Sequence, residues 1–213
     1  MSPPEARRKI SRQERNEEVR RSLFRAAGEI VGERGYEEAS ISRITERAGV
    51  ANGTFYNHFE TRQELLDQLL PSLGEEMIEF IRQRTRDVRP ERDRELARFR
   101  AFFEFLVENP GFLRILNEAE FSAPEAYRQH IQNVSLPYLR ILQRARGAGE
   151  TRDFTDAELE AVVHILIGAR GYLSQRYAYA EGGARLPDEA VFDAYAKLLI
   201  GGLFAESDKP GAV

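Results

Sequence analysis

The sequence predicts an all-α protein of about nine helices, the first three forming a small N-terminal unit and the rest a larger helical domain. Three observations carry this. Apolar residues recur at helical spacing along the whole chain, with no convincing period-two run that would argue for a strand. Capping signatures recur as well: "TRQE" at 61–64, "SAPE" at 122–125 and "TDAE" at 155–158 each place Ser or Thr three residues before Glu. Glycine and proline fall mainly between the periodic stretches, and the 213 residues are 42% apolar and 31% charged, enough to bury a real core.

The elements follow in order. Val19, Leu23, Ala27 and Ile30, joined by Phe24 and Val31, share one face of a first helix that stops near Gly35. Ile41, Ile44 and Ala48 give a short second helix ending at Gly49, and Phe55 with Phe59 marks a third. The 61–64 cap opens a fourth helix with Leu65, Leu66, Leu69 and Leu70, which Pro71 is expected to kink or break before "EEMIEFIRQRTRDV" resumes it. "RPERDRE" reads as a polar connection. "ELARFRAFFEFLV" is expected to end at Asn109-Pro110, a cap followed by an N1 proline. The 122–125 cap opens a long helix expected to bend at Pro137. After the loop "RGAGETRD", the 155–158 cap starts an apolar helix reaching about Ala180; "EGGARL" breaks it, and Pro187 starts the last helix, which ends near Glu206. The expected divisions are a flexible basic arm at 1–14, a three-helix domain at 15–62, a larger domain at 63–206 and a disordered tail at 207–213.

Several function classes find no support. The chain has no cysteine, hence no disulfide framework, thiolate metal site or Cys nucleophile. His58, His130 and His164 fall at no metal-binding spacing, and no P-loop, G-x-S-x-G or G-x-G-x-x-G is present, so neither catalysis, a cofactor nor a metal is expected. The charged N-terminus lacks the apolar stretch of a signal peptide, and the longest near-apolar run, 161–169, is too short to span a bilayer, so a cytoplasmic protein without a membrane partner is expected. Charge is uneven within a net of −4: residues 1–62 carry 12 Lys and Arg against 10 Asp and Glu, and the remainder 19 against 25. Arg7, Arg8, Lys9, Arg12 and Arg15 precede the first apolar period and suit either a solvated tail or an arm that touches nucleic acid.

The sharpest local signal is "GTFYNH" at 53–58, which holds small, hydroxyl, aromatic and amide groups and no carboxylate. An eight-residue helix, a Gly-Val turn and a second short helix make a helix-turn-helix, whose second helix enters the major groove. Phe55 and Phe59 take the buried side, leaving Asn52, Gly53, Thr54, Tyr56, Asn57 and His58 outward. Carboxylates there would be repelled by phosphate, whereas amides, hydroxyls and imidazole can bond to base edges or phosphate oxygens.

The run "ISRITERAGVANGTFYNHFETRQELL" resembles the DNA-binding signature of the TetR family of bacterial transcriptional repressors, over roughly residues 15–70. The resemblance implies an all-helical homodimer with an N-terminal reader and a C-terminal effector domain. It places Asn52, Thr54 and Asn57 near bases, Tyr56 and His58 on phosphate or sugar, Ser40 or Ser42 at the start of the second helix, and Arg62 on phosphate; Gly53, a helix-weakening residue, independently suits a place where backbone approaches DNA closely. Two positions depart from the pattern: Ala51 stands where a capping Ser is common, so Asn52 is expected to cap instead, and Asn52 stands where Lys or Arg is common.

No comparable motif covers the C-terminal part. "FRAFFEFLVENPGFLRILNEAEFSAPEAY" concentrates large rings near a few polar groups, a composition that suits core packing or an apolar cavity. The expected effector-lining residues are Phe102, Phe103, Leu106, Leu116, Glu120, Phe121, Tyr127, Tyr138 and His164, for a small hydrophobic or aromatic molecule. The last two helices are apolar on more than one face and carry Gly168, Gly171, Gly201 and Gly202, so a homodimer through them is expected. The resulting expectation is a repressor released from a palindromic double-stranded operator by that effector. The alternatives are a ligand-independent DNA-binding protein and an activator.

Overall fold

The computed structural model describes residues 12–180 and 183–203. They form nine α-helices: α1 Arg12–Arg34, α2 Ile41–Ala48, α3 Asn52–Phe55, α4 Arg62–Thr85, α5 Glu91–Glu108, α6 Phe112–Ser122, α7 Pro124–Gly147, α8 Asp156–Leu173 and α9 Glu189–Gly202. A π-helical turn, Ser174–Ala178, follows α8 and leads into a two-residue antiparallel pair, β1 (Tyr179–Ala180) with β2 (Gly183–Ala184). Most of the expected basic arm and the whole expected tail lie outside the described residues. Arg12 and Arg15, assigned to or beside that arm, are already in the first helix.

The first three helices close on a small core of Leu23, Ile30, Ile44, Phe55 and Phe59, all nearly inaccessible. Phe59 meets Phe24 edge to face at 5.3 Å and Phe55 at 5.5 Å, and the Arg20 guanidinium covers the Phe59 ring at 4.8 Å. Gly35 takes φ +92°, and a Cβ there would lie 2.7 Å from the Glu118 carboxylate. That carboxylate accepts the Tyr36 backbone N–H at 2.9 Å, so glycine is what lets a side chain from α6 cap the end of α1.

The larger domain packs α4 against α5 and α7, and α7 against α8. Its aromatic core is centred on Phe99, stacked on Tyr195 at 3.6 Å and meeting Phe103 edge to face at 5.1 Å. Close approach of α4 and α7 depends on Gly74, where a Cβ would stand 2.2 Å from His130 Nδ1. Gly32 of α1 and Gly111 before α6 are in similar contact, a Cβ on Gly32 lying 2.7 Å from the Gly111 Cα.

Several local expectations are corrected. Pro71 neither breaks nor ends its helix: α4 is continuous from Arg62 to Thr85 with Pro71 buried inside it. Asn109 terminates α5, its backbone N–H bonding to the Phe105 carbonyl, and α6 starts two residues beyond Pro110. Ser122 ends α6 instead of capping α7, which opens on Pro124 with no side-chain cap. "RPERDRE" is mostly helix, since α5 begins at Glu91. Asp188, not Pro187, stands at the start of α9. The apolar helix stops being α-helical at Leu173, and the backbone leaves helix at Tyr179. The caps at Thr61 and Thr155 do form, with Oγ accepting the N–H of Glu64 at 3.1 Å and of Glu158 at 3.3 Å.

Candidate DNA-reading face and effector cavity

The reading face is built by a tight turn. Gly49 takes φ +71° and its N–H closes on the Glu46 carbonyl at 3.1 Å, while the Val50 N–H reaches the Thr45 carbonyl at 3.0 Å. The chain then re-enters helix at Asn52 with Ala51 as a residue that supplies no side-chain cap. Asn52 does not cap: its amide meets the hydroxyl of buried Thr45, which ties α3 to α2. Asn52, Gly53, Tyr56 and Asn57 are exposed, with Tyr56 at 60%, and Thr54 and His58 are half-buried. No atom stands within 4 Å of a Cβ on Gly53, so backbone is open to a partner there. Partial burial, then the Arg20 charge, lower the His58 pKa, so its imidazole is neutral at pH 7 and offers one donor and one acceptor.

Ser40 caps α2, its Oγ accepting the Arg43 N–H at 3.3 Å, and Ser42 is exposed on the same helix. Arg62 differs from its expected place on phosphate. Its Nε donates to the Ala39 carbonyl at 2.8 Å and its Nη2 to the Tyr36 carbonyl, so the side chain pins the α1–α2 turn to the start of α4. Its Nε and Nη2 are thus engaged within the domain.

The structure has a cavity in the larger domain, and most of the residues expected to line an effector site lie outside it. About 420 Å³ lie between α4, α5, α6, α7 and α8, a volume in the range of small-molecule sites, roughly 300–1,000 Å³. Of the expected residues, Phe102, Leu116 and Tyr138 line it. Phe103 does not: one residue along a helix turns a side chain by about 100°, and Phe103 packs on Phe192 of α9 at 5.7 Å instead. Leu106 is fully buried core and does not line the cavity. Glu120 and Phe121 point to solvent at the end of α6, Phe121 being 85% exposed, and Tyr127 is half-buried outside the lining. His164 is exposed on α8 beside Ile165, on the face expected for a dimer.

The sequence reading missed the contribution of α4, through Met77, Ile78 and Ile81, and of the arginines where α4 ends and α5 begins. The signal was present as six arginines within "RQRTRDVRPERDR": Arg82, Arg84 and Arg86 in the stretch read as helix, and Arg89, Arg92 and Arg94 in the "RPERDRE" taken for a connection. His130, buried in the wall, has no partner for Nδ1, and burial lowers its pKa to about 4, so it is neutral at pH 7. Beneath the wall, fully buried Glu95 accepts from Tyr195 Oη at 3.0 Å and pairs with Arg170, which also reaches Tyr138 Oη at 3.2 Å. Among the described residues no group of His, Asp or Glu could hold a metal ion, and no helix is long and apolar enough to cross a membrane.

Residues 23–69 match the family described as bacterial regulatory proteins, tetR family. Over 105 residues the chain is 31% identical to the HTH-type transcriptional activator FasR of Mycolicibacterium smegmatis, covering 49% of this chain and 48% of that relative. The matched stretch thus spans about half the length of the curated relative. The fold resembles the fatty acid degradation regulator FadR of Bacillus halodurans, with a TM-score of 0.70 at 18% identity over 86% of this chain and 95% of that one. It also resembles FadR of Bacillus subtilis in complex with stearoyl-CoA, with a TM-score of 0.69 at 17% identity over 85% of this chain and 98% of the other.

Proposed function

We propose that this chain, which belongs to the tetR family of bacterial regulatory proteins by its DNA-binding domain and its fold, is a sequence-specific transcriptional regulator whose DNA binding responds to a small apolar effector. The observation that carries the reading is the outward set Asn52, Thr54, Tyr56, Asn57 and His58 held over a packed Phe55–Phe59 core. A surface with no carboxylate and several neutral hydrogen-bonding groups suits base edges and phosphate. This work belongs with the bacterial chromosome, in the cytoplasm.

The two sites are mechanically joined. α4 starts at the reader, where Arg62 pins it to the α1–α2 turn, and its later half lines the cavity. α6 gives Phe112 and Leu116 to the cavity, while its outer side holds the reader through Glu118 on Tyr36 N–H and Arg114 on the Glu33 carbonyl at 3.1 Å. A ligand that prefers one arrangement of α4 and α6 therefore biases the placement of the reader, by no more than its difference in affinity for the two arrangements. The continuous α4 moves as one lever, with 62–85 turning together.

A homodimer is the form suited to a palindromic operator. α8 exposes Ile165 (66%) and Tyr172 (69%), and α9 exposes Leu198 (74%) and Ile200 (37%), with Gly168 and Gly201 open beside them. These faces suit a four-helix interface between two copies. A repressor and an activator share this design; the partial relative FasR is an activator, so the position of the bound site relative to a promoter decides between them.

Selection of genomic DNA fragments by the purified full chain at two salt concentrations tests the reading. A small set of fragments sharing a two-fold symmetric motif, retained less at high salt, is the expected result. Equal retention of all fragments at both salts by folded protein would remove it.

A further inference from the structure

The cavity changes chemistry along its length. Its wall beside α6 and the middle of α4 is made by Met77, Ile78, Phe102, Phe112 and Leu116. Where α4 ends and α5 begins, the lining passes to Arg82, Arg86, Arg89, Arg94 and Arg98, with Arg170 added from α8. The carboxylates these arginines meet are Glu79 on Arg82, Asp87 on Arg86, Glu91 shared by Arg94 and Arg98, and Glu95 shared by Arg98 and Arg170. Among the described residues, four carboxylates thus face six guanidiniums, in a chain whose net charge is −4.

Three of these arginines have donors to spare: among the described residues the Arg86 side chain bonds only through Nε, to the adjacent Asp87 at 3.5 Å. Among the described residues Arg89 reaches only the backbone carbonyls of Arg86 (3.0 Å) and Val88 (2.7 Å), and it is exposed. Arg94 spends Nε on the Val88 carbonyl and Nη1 on Glu91, while its Nη2 is buried with no acceptor. A buried guanidinium donor left unmade is costly, and a ligand oxygen at that place would satisfy it. One carboxylate is matched by one bidentate arginine, so it would leave the second excess charge and most of the free donors unused. A phosphate brings up to two charges and three acceptor oxygens.

We propose that the effector is an amphiphile, with a hydrocarbon chain along the apolar wall and a phosphate-bearing headgroup at the arginine-lined end of the cavity. This rests on reading the cavity as the effector site. The chemistry is shared by nucleotide thioesters of fatty acids and by monoacyl lipid phosphates, and the headgroup is held by Arg86, Arg89 and Arg94 in either case.

Calorimetric titration of the full chain with palmitoyl-CoA, palmitoyl lysophosphatidate, palmitate and CoA, each below its micelle concentration, tests it. At least one of the first two binds at least about tenfold more tightly than palmitate and CoA, and which of them does so identifies the source. The double substitution Arg86→Ala with Arg89→Ala, both on exposed side chains, weakens that ligand about tenfold or more and weakens palmitate by clearly less. Palmitate binding as tightly as its phosphate-bearing counterparts, or full affinity in the double variant, overturns the headgroup assignment. The neutral dye N-phenylnaphthylamine, run alongside, separates the two levels. Dye that binds and is displaced by none of the phosphate-bearing probes overturns the amphiphile and keeps an apolar effector site. Absence of binding by dye and probes alike overturns both.

Discussion

The candidate reading face and the candidate effector cavity put their chemistry on opposite sides of the backbone. In the reader, the rings of Phe55 and Phe59 turn inward and the working side chains stand in solvent, close together in sequence. In the larger domain most lining side chains turn inward from five helices spread over residues 77–171, while Arg82, Arg86 and Arg89 stand exposed at one end. The reader can therefore be altered one exposed residue at a time without touching its core. In the cavity, lining and core are adjacent positions of the same helix, and a change to one is felt by the other.

Phe102 and Phe103 give the strongest test of that contrast. Phe103→Ala empties a fully buried site among Phe99, Phe102 and Phe192 and should cost about 3–5 kcal/mol in denaturant unfolding. Phe102→Ala already has empty space on one side, so it should cost less and mainly enlarge the cavity; equal losses would place both rings in ordinary core. Glu95→Gln should be nearly as damaging, about 3–5 kcal/mol, because it leaves Arg170 and part of Arg98 buried without their counter-charge.

His130 supplies a pH dependence of stability in the larger domain. Its pKa of about 4 in the folded protein lies below the ordinary 6.5, so the unfolded chain takes up the proton first as pH falls. The stability it supports is complete above about 6.5 and is lost progressively down to about 4, amounting to about 3 kcal/mol. Unfolding of wild type and His130→Leu at pH 7 and pH 4.5 checks this: the variant's loss over that interval should be smaller, and identical losses would contradict it.

Arg62 and Asn57 sharpen the contrast within the reader. Arg62→Ala removes two bonds to backbone carbonyls and should destabilise the reader by about 1.5–3 kcal/mol, with the salt slope of DNA binding unchanged. A slope that falls by about one would return Arg62 to phosphate. Asn57→Ala should leave unfolding within about 0.5 kcal/mol of wild type. It should weaken specific DNA binding by about 1–3 kcal/mol and relax the preference at one base position.

How much of this the sequence disclosed follows from the same contrast. The reader was legible because its signal is local: the ends of α1 and α2, the Gly49 turn, and the buried Phe55 and Phe59 all lie within the stretch that encodes them. The bonds of Arg62 within the domain were not foreseen because its acceptors, the Tyr36 and Ala39 carbonyls, are more than twenty residues away and carry no side-chain signature. The cavity was foreseen as a composition and not as a list. Ring density marked the right helices, but which ring faces inward depends on how α5 is rotated between α4, α7 and α9, and that is set by tertiary packing. The arginines at its end were hidden by their polarity, which locally reads as loop. Pro71 misled for a related reason: packing against the rest of the buried core holds α4 continuous where the isolated sequence predicts a break.

The most direct test of the account is the affinity of the full chain for its selected DNA fragment, compared between wild type and a variant carrying Thr54→Ala, Tyr56→Ala and Asn57→Ala. All three side chains lie on the outward face, so the fold and its melting temperature should be retained. The account predicts a loss of at least about a hundredfold in specific affinity, with residual binding that no longer distinguishes sequences. Unchanged affinity and sequence preference in a folded triple variant would contradict it.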